Sequence, residues 1–190
     1  MASDGSEVAL IAIGNIVIAF MVTILIYAKR YKKVPPNKAM VVFGKKQMRT
    51  RKGYLIITGG AKFIIPFLED FTFMPLDARS LRIALNNVRV DTRNIKASIS
   101  LKANSVVRIS SDPRILDLAA ANLLGKSDKE INDIAMNIIE GHVRNTCAHT
   151  PLEEIRDNFP QVSSMILSTS NFDLNGVGLE MVSFNIVDVQ

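Results

Sequence analysis

The chain has 190 residues, a formal net charge of +5 and a hydrophobic fraction of 48%. That is high for a wholly soluble domain, and an apolar N-terminal segment accounts for part of the excess; about 150 residues remain, enough for one domain with a real core. The single cysteine, Cys147, excludes an intrachain disulfide and suits a reducing compartment.

Residues 1–7 form a short tail bearing Asp4 and Glu7. Val8 to Ala28 follows, 21 residues without one Asp, Glu, Lys or Arg. As a helix it is about 31 Å long, the thickness of a bilayer's hydrocarbon core. A buried core helix of this length carries a polar stripe, and this one has none. A cleaved signal would need a basic start, a shorter apolar run and a small-residue cleavage site. The acidic start and the long run point to an uncleaved anchor. Myristoylation is excluded, because Ala2 stands where glycine is required. Asn15 lies mid-segment: it either hydrogen-bonds another membrane helix or marks the kink of a re-entrant hairpin. The segment is too short for two crossings, which favours one pass.

Charge is segregated along the chain. Between Val8 and Leu68 there is no acidic residue, yet there are eleven Lys and Arg. They include Lys29, Arg30, Lys32, Lys33, Lys45, Lys46, Arg49, Arg51 and Lys52. From Glu69 onward acids outnumber bases, 16 to 12. Lys and Arg resist translocation, so this collar predicts a cytoplasmic domain and an outward N-terminus. Each collar cation near the surface gains up to about 1 kcal/mol from an anionic leaflet. Nucleic acid is a poorer partner, because the collar abuts a membrane segment and lacks interleaved aromatics.

Residues 29–37 read as a basic juxtamembrane linker, stiffened by Pro35-Pro36. A domain over 38–190 follows. Ala39 to Phe43 is a strand candidate, and Lys45 to Gly53 a basic loop or hairpin. Tyr54 to Thr58 and Lys62 to Ile65 are apolar strands around Gly59-Gly60. Tyr54 to Leu68 is almost wholly apolar. It is either a buried sheet or, for Phe63, Ile64, Ile65, Phe67 and Leu68, a second contact with the headgroup boundary. Asp70 to Leu76 alternates, with Phe71 and Phe73 on one face. Ser80 to Val90 and Ile95 to Ile109 form a long hairpin, the second arm alternating apolar and polar.

Helices come next. Asp112-Pro113 is an N-cap with proline at the first helical position, and Gly125 is a stop. Ser127 and Glu130 form a capping box. Behind it Ile131, Ile134, Ala135, Ile138, Ile139 and Val143 fall on one helical face. Thr150 and Glu153 read as a second capping box, and Pro160 to about Phe172 as a further helix. Gly176 to Gly178 turns the chain into a last strand bearing Val182, Phe184 and Ile186. Strands, then helices, then a closing strand define an α+β fold.

Familiar chemistry is sparse. Gly125-Lys126-Ser127 is no phosphate loop, because Ala120 stands where the first glycine is needed and a helix precedes it. His142, Cys147 and His149 are the only cluster with metal or nucleophile potential. Three soft ligands at that spacing make a poor zinc site, and nothing marks Cys147 as activated. No cofactor is implied. A membrane-anchored thiol enzyme using Cys147 is the remaining catalytic reading.

Several stretches resemble the SPFH (band 7) domain of flotillins. They are Pro36-Asn37-Lys38-Ala39-Met40-Val41-Val42, Gly59-Gly60-Ala61-Lys62-Phe63-Ile64-Ile65-Pro66, Leu124-Gly125-Lys126-Ser127 with Ile139-Glu140-Gly141-His142-Val143-Arg144, Thr150-Pro151-Leu152-Glu153-Glu154-Ile155, and Gly178-Leu179-Glu180-Met181-Val182-Ser183-Phe184. The resemblance spans about Val34 to Val189. It implies a non-enzymatic scaffold that organises membrane microdomains and partner proteins. It also implies self-association, or assembly with other SPFH proteins. Under it Glu140, His142 and Arg144 are structural or interfacial. Prohibitin- and stomatin-like branches imply an alternative, regulation of a membrane protease. Flotillins continue into an Ala/Glu-rich coiled coil, whereas this sequence stops at Gln190. Asn158-Phe159-Pro160 and the serines from Ser163 to Ser170 interrupt what family members run as one charged helix.

Overall fold

The computed structural model describes residues 4–44, 53–92 and 95–189. The chain divides into two units, residues 1–73 and 74–190.

The first unit starts with helix α1, Asp4–Arg30. Its span from Val8 to Arg30 is long and apolar enough to cross a membrane, and none of it is buried. Lys29 and Arg30 occupy the last turn, where cations suit the negative end of the helix dipole. Thr23 donates its hydroxyl to the Ala19 carbonyl at 2.8 Å, so its polar group is satisfied within the helix.

Beyond Arg30 the structure departs from the linker expected over 29–37. Tyr31–Lys33 is a strand, β1, paired antiparallel with β4, Ala61–Phe63. The Val34 amide donates to Gly60 O at 2.9 Å and Val34 is buried, so the chain leaves the helix straight into folded structure. Three residues with two lysines carry no strand signal of their own; the pairing comes from a partner about thirty residues on. Strands β2 (Lys38–Gly44), β3 (Tyr54–Ile57) and β5 (Glu69–Pro75) form a second sheet, in the order β3-β2-β5. Val34, Met40, Val42 and Ile64 make its small core, with Ile57, Phe71 and Phe73 packed against them. Phe71 and Phe73 meet edge to face at 5.4 Å.

The second unit is a three-stranded antiparallel sheet, order β6-β7-β8, with helices on one face. Strands β6 (Arg79–Thr92) and β7 (Ile95–Ile109) are the expected hairpin. A bulge interrupts it between Leu85 and Val88, where Asn87 takes φ 57°. Ile99, Leu101 and Ala103 are buried while Ser98, Lys102 and Asn104 are exposed, so the alternation sorts the two faces. Strand β8 (Leu179–Val189) closes the sheet against β7.

Helix α2 (Pro113–Leu123) starts as the sequence indicates: the Asp112 carboxylate accepts from the Arg114 amide at 2.8 Å. Helix α3 (Asp128–His149) opens on the Ser127–Glu130 capping box. Hydrogen bonds from the Ser127 hydroxyl and backbone amide hold the Glu130 carboxyl below its ordinary range. Ile131, Ala135, Ile139, Val143 and Cys147 of α3 are buried, whereas Ile134 and Ile138 lie half-exposed at the margin of that stripe.

Two local readings change. Helix α4 (Leu152–Asp157) has Pro151 at its N-cap without a side-chain cap bond. The Thr150 hydroxyl instead donates back to the Thr146 carbonyl at 2.8 Å, the competing bond open to a threonine at a helix end. Helix α5 (Phe159–Val177) runs further than expected and absorbs Gly176. Only Gly178 leaves the helix, at φ 100°, where a side chain would strike Ala119 of α2. The break between α4 and α5 falls at Asn158, where the sequence departs from one continuous charged helix.

Along β8, α5 replaces a neighbouring strand. The Asn171 side-chain amide accepts from the Met181 amide at 2.7 Å and donates to the Met181 carbonyl at 3.1 Å.

Replacing Ser127 with alanine should cost about 1 kcal/mol, the usual value of such a cap. Amide exchange in the first turn of α3 should quicken more than at its centre. Glu130 has a lower pKa in the folded chain, so its contribution is present at neutral pH and is lost as pH falls through that lowered value. The difference in exchange between wild type and Ser127→Ala should therefore shrink in acid.

Candidate membrane interface

The end of α1 and the β1–β4 ribbon form one piece. The Ile64 amide donates to the Arg30 carbonyl at 3.1 Å. Tyr27, one turn from the helix end, stacks on Phe63 with ring centroids 4.6 Å apart. Whatever depth the helix end takes, Phe63 takes too. Tyr27 and Tyr31 flank the basic turn, at the level where amphipathic rings prefer to sit. Neither ring is marked by the charge pattern around it; aromatics at the end of an apolar run are the available signal.

Lys29, Arg30 and Lys33 are exposed. Lys32 is half-buried, with its ammonium 5.7 Å from the centre of the Phe71 ring, and so faces the domain. Lys45, Lys46, Arg49, Arg51 and Lys52 lie outside the described residues.

The loop after β4 separates the apolar candidates. Ile64 is only 1% exposed and belongs to the core of the first unit, so it is corrected from a lipid contact to a packing residue. Apolar character alone cannot tell an inward side chain from an outward one. Phe63 and Ile65 are half-buried, and Leu68 is exposed. Phe67 is 103% exposed and adopts φ 65°, a left-handed backbone that bulky residues rarely take. The surrounding bonds hold it there. Glu69 is buried, accepts from the Ile65 amide at 3.2 Å and pairs with Lys62 at 3.3 Å. The Leu68 and Glu69 amides both donate to Ile65 O. Gly44, at φ 141°, lets the Leu68 carbonyl approach where any side chain would collide. A non-glycine residue held in such a conformation costs about 1–3 kcal/mol and persists only when its surroundings over-determine it. The loop thus presents a solvent-facing Phe67-Leu68 pair.

Asn15 is exposed midway along α1, and its side chain has no hydrogen-bond partner among the described residues. In the second unit, His142 Nε2 lies 2.8 Å from Asp173 Oδ2 and ties α3 to α5. Asp173 stands 31 positions away, beyond any local sequence signal. Glu140 is half-buried and Arg144 exposed.

Among the described residues no group of His, Cys, Asp and Glu is arranged to hold a metal. Cys147 is fully buried, and burial pushes its thiol up to about 11. His149 Nδ1 lies 2.8 Å from the backbone oxygen of Asn145. A thiol so placed is a packing group, which argues against the thiol-enzyme reading.

An apolar helix that presents its surface outward, joined to a small β-ribbon and followed by an α+β domain, defines a membrane-associated protein of mixed fold. The chain belongs to the SPFH domain / Band 7 family, whose model matches residues 32–190. Within that family it is flotillin-like. It is 30% identical to Flotillin-1 of Homo sapiens over 155 residues, covering 81% of this chain and 35% of the relative. Identity is 28% over 157 residues with Flotillin-1 of Carassius auratus, covering 81% of this chain and 35% of the relative. It is 29% over 154 residues with that of Pongo abelii, covering 80% and 34%. The chain spans about a third of the length of these curated relatives.

At neutral pH Cys147 should react with a maleimide only when the chain is unfolded. At pH 9 the folded chain should still label far more slowly than the unfolded one, because a buried thiol with a pKa of about 11 remains almost wholly protonated there. Rapid native labelling would reverse the assignment.

Proposed function

We propose that this protein is a membrane-anchored scaffold that organises a patch of membrane and the proteins within it. The observation that carries the reading is the coupling of an outward-facing apolar helix to a family domain through one bonded ribbon. The anchor crosses the bilayer once, and the domain lies on the cytoplasmic side. Lys29, Arg30 and Lys33 meet anionic headgroups, and Phe67 with Leu68 dips into the headgroup boundary beside them. Lys45, Lys46, Arg49, Arg51 and Lys52 extend the same basic collar. Self-association, alone or with other SPFH proteins, gathers copies into the patch, with Asn15 in the membrane and Glu140 and Arg144 on the domain as contacts. The names of the matched relatives and the non-catalytic setting of Cys147 support a binding role rather than an enzymatic one.

The test uses the full chain in sealed vesicles. Alkaline carbonate should fail to extract it, and protease added on the cytoplasmic side should remove the domain while sparing the anchor. Recovery as a soluble species, or protection of the domain inside a secretory compartment, would overturn the reading. Phe67→Ser should leave the anchor inserted, yet move a fluorophore near that loop out of reach of headgroup quenchers. The fold should hold, because the ring makes no burying contact in this structure.

A further inference from the structure

Among the described residues, the three-stranded sheet of the second unit carries its helices on one face. The other face is open, and its register fixes what it displays. Arg82 pairs across to Asn104, Ala84 to Lys102 and Arg89 to Ser98. All six side chains are exposed. On the β8 side Asp188 approaches Lys102 at 3.6 Å and Glu180 approaches Arg108 at 3.4 Å, so that margin is close to neutral. Arg82 and Arg89 have no ion-pair partner among the described residues. Across β6 and β7 the face is therefore lined by small polar groups and is positive along β6, while Val182 and Val187 are exposed on β8.

A stable protein interface is built around buried aromatic or large aliphatic anchors. The β6–β7 part of the face displays serine, asparagine and alanine between its cations instead, and the two exposed valines of β8 are small aliphatic groups that a lipid headgroup boundary also accepts. Such a surface suits diffuse contact with a layer of negative charge, where no single residue needs a pocket. Arginine also offers forked donors that match phosphate oxygens.

We propose that the open face of the β6-β7-β8 sheet is a second, electrostatic contact with an anionic lipid leaflet, carried by Arg82 and Arg89. The inference rests on the anchoring reading above and adds to it a face of the second unit. Each cation near the surface strengthens such contact roughly fivefold. The pair together shifts the balance between leaflet-bound and lifted states by roughly 25-fold in low salt, and by less as salt screens it.

The experiment uses the full chain in vesicles of phosphatidylcholine, with or without phosphatidylserine. Ser98→Cys carries a fluorophore on the open face, Asn145→Cys carries one on exposed α3, and buried Cys147 stays unlabelled. A spin-labelled headgroup is the quencher. The Ser98 probe should be quenched severalfold more in phosphatidylserine vesicles than in phosphatidylcholine alone, and added salt should reverse this. The Asn145 probe should not respond. Arg82→Gln with Arg89→Gln should abolish the difference, and Arg82→Lys with Arg89→Lys should restore most of it, separating charge from folding. Equal quenching in both lipids, or no change in the glutamine variant, overturns the proposal. Energy transfer between Ser98 probes on two copies, independent of lipid charge, assigns the face to a second copy and overturns it too. A chain that floats with neither vesicle overturns the anchoring reading and this proposal with it. One that floats with both but shows no lipid dependence overturns this proposal alone.

Discussion

An uncharged helix of this length has to be solvated by something other than water. Val8 to Ala28 exposes isoleucine, leucine, valine and phenylalanine around its whole circumference, and among the described residues only Phe63, stacked on Tyr27, is seen to cover part of it. At about 25 cal/mol for each Å² of apolar surface, leaving such a helix in water would cost more than the stability of a typical domain. Hydrocarbon is the solvent that removes the cost, and the helix's backbone groups are already satisfied internally. The acid-free stretch that follows puts Lys29, Arg30, Lys32 and Lys33 directly at the end of that helix.

The first unit converts that constraint into geometry. Its folded part is tied to the helix end by a backbone bond, an aromatic stack and a short strand pair. A flexible linker would let the ribbon move freely relative to the helix. The buried Glu69, the first acid after the long positive stretch, then organises the loop beside it. Its carboxylate draws Lys62 inward, so one collar cation serves the fold, and Lys32 is similarly turned onto Phe71. The collar is thus a mixture of side chains that face outward and side chains that hold the unit together.

The second unit shows how a small sheet stays solitary on one edge. Strand β8 would present a free edge, but α5 covers it with the Asn171 amide and the Ser163 hydroxyl, which accepts from the Ile186 amide at 3.4 Å. Strand β6 is protected differently, by arginines and by the bulge at Asn86-Asn87. Both devices are ways to keep strand edges from pairing at random.

Much of this was legible in the sequence, because the signals were local. Uncharged length defined α1, period-two alternation defined β6 and β7, and the spacing of Ser127 and Glu130 defined the start of α3. The family motifs, in order along the chain, carried the rest of the fold class. Tertiary structure decided what depends on distant partners. It paired Tyr31–Lys33 with β4, joined His142 to Asp173, buried Ile64 while exposing Phe67 three residues later, and turned Thr150 back onto its own helix. Hydrophobic pattern states which side chains avoid water; only packing states whether a neighbouring strand or a lipid tail will be the one to cover them.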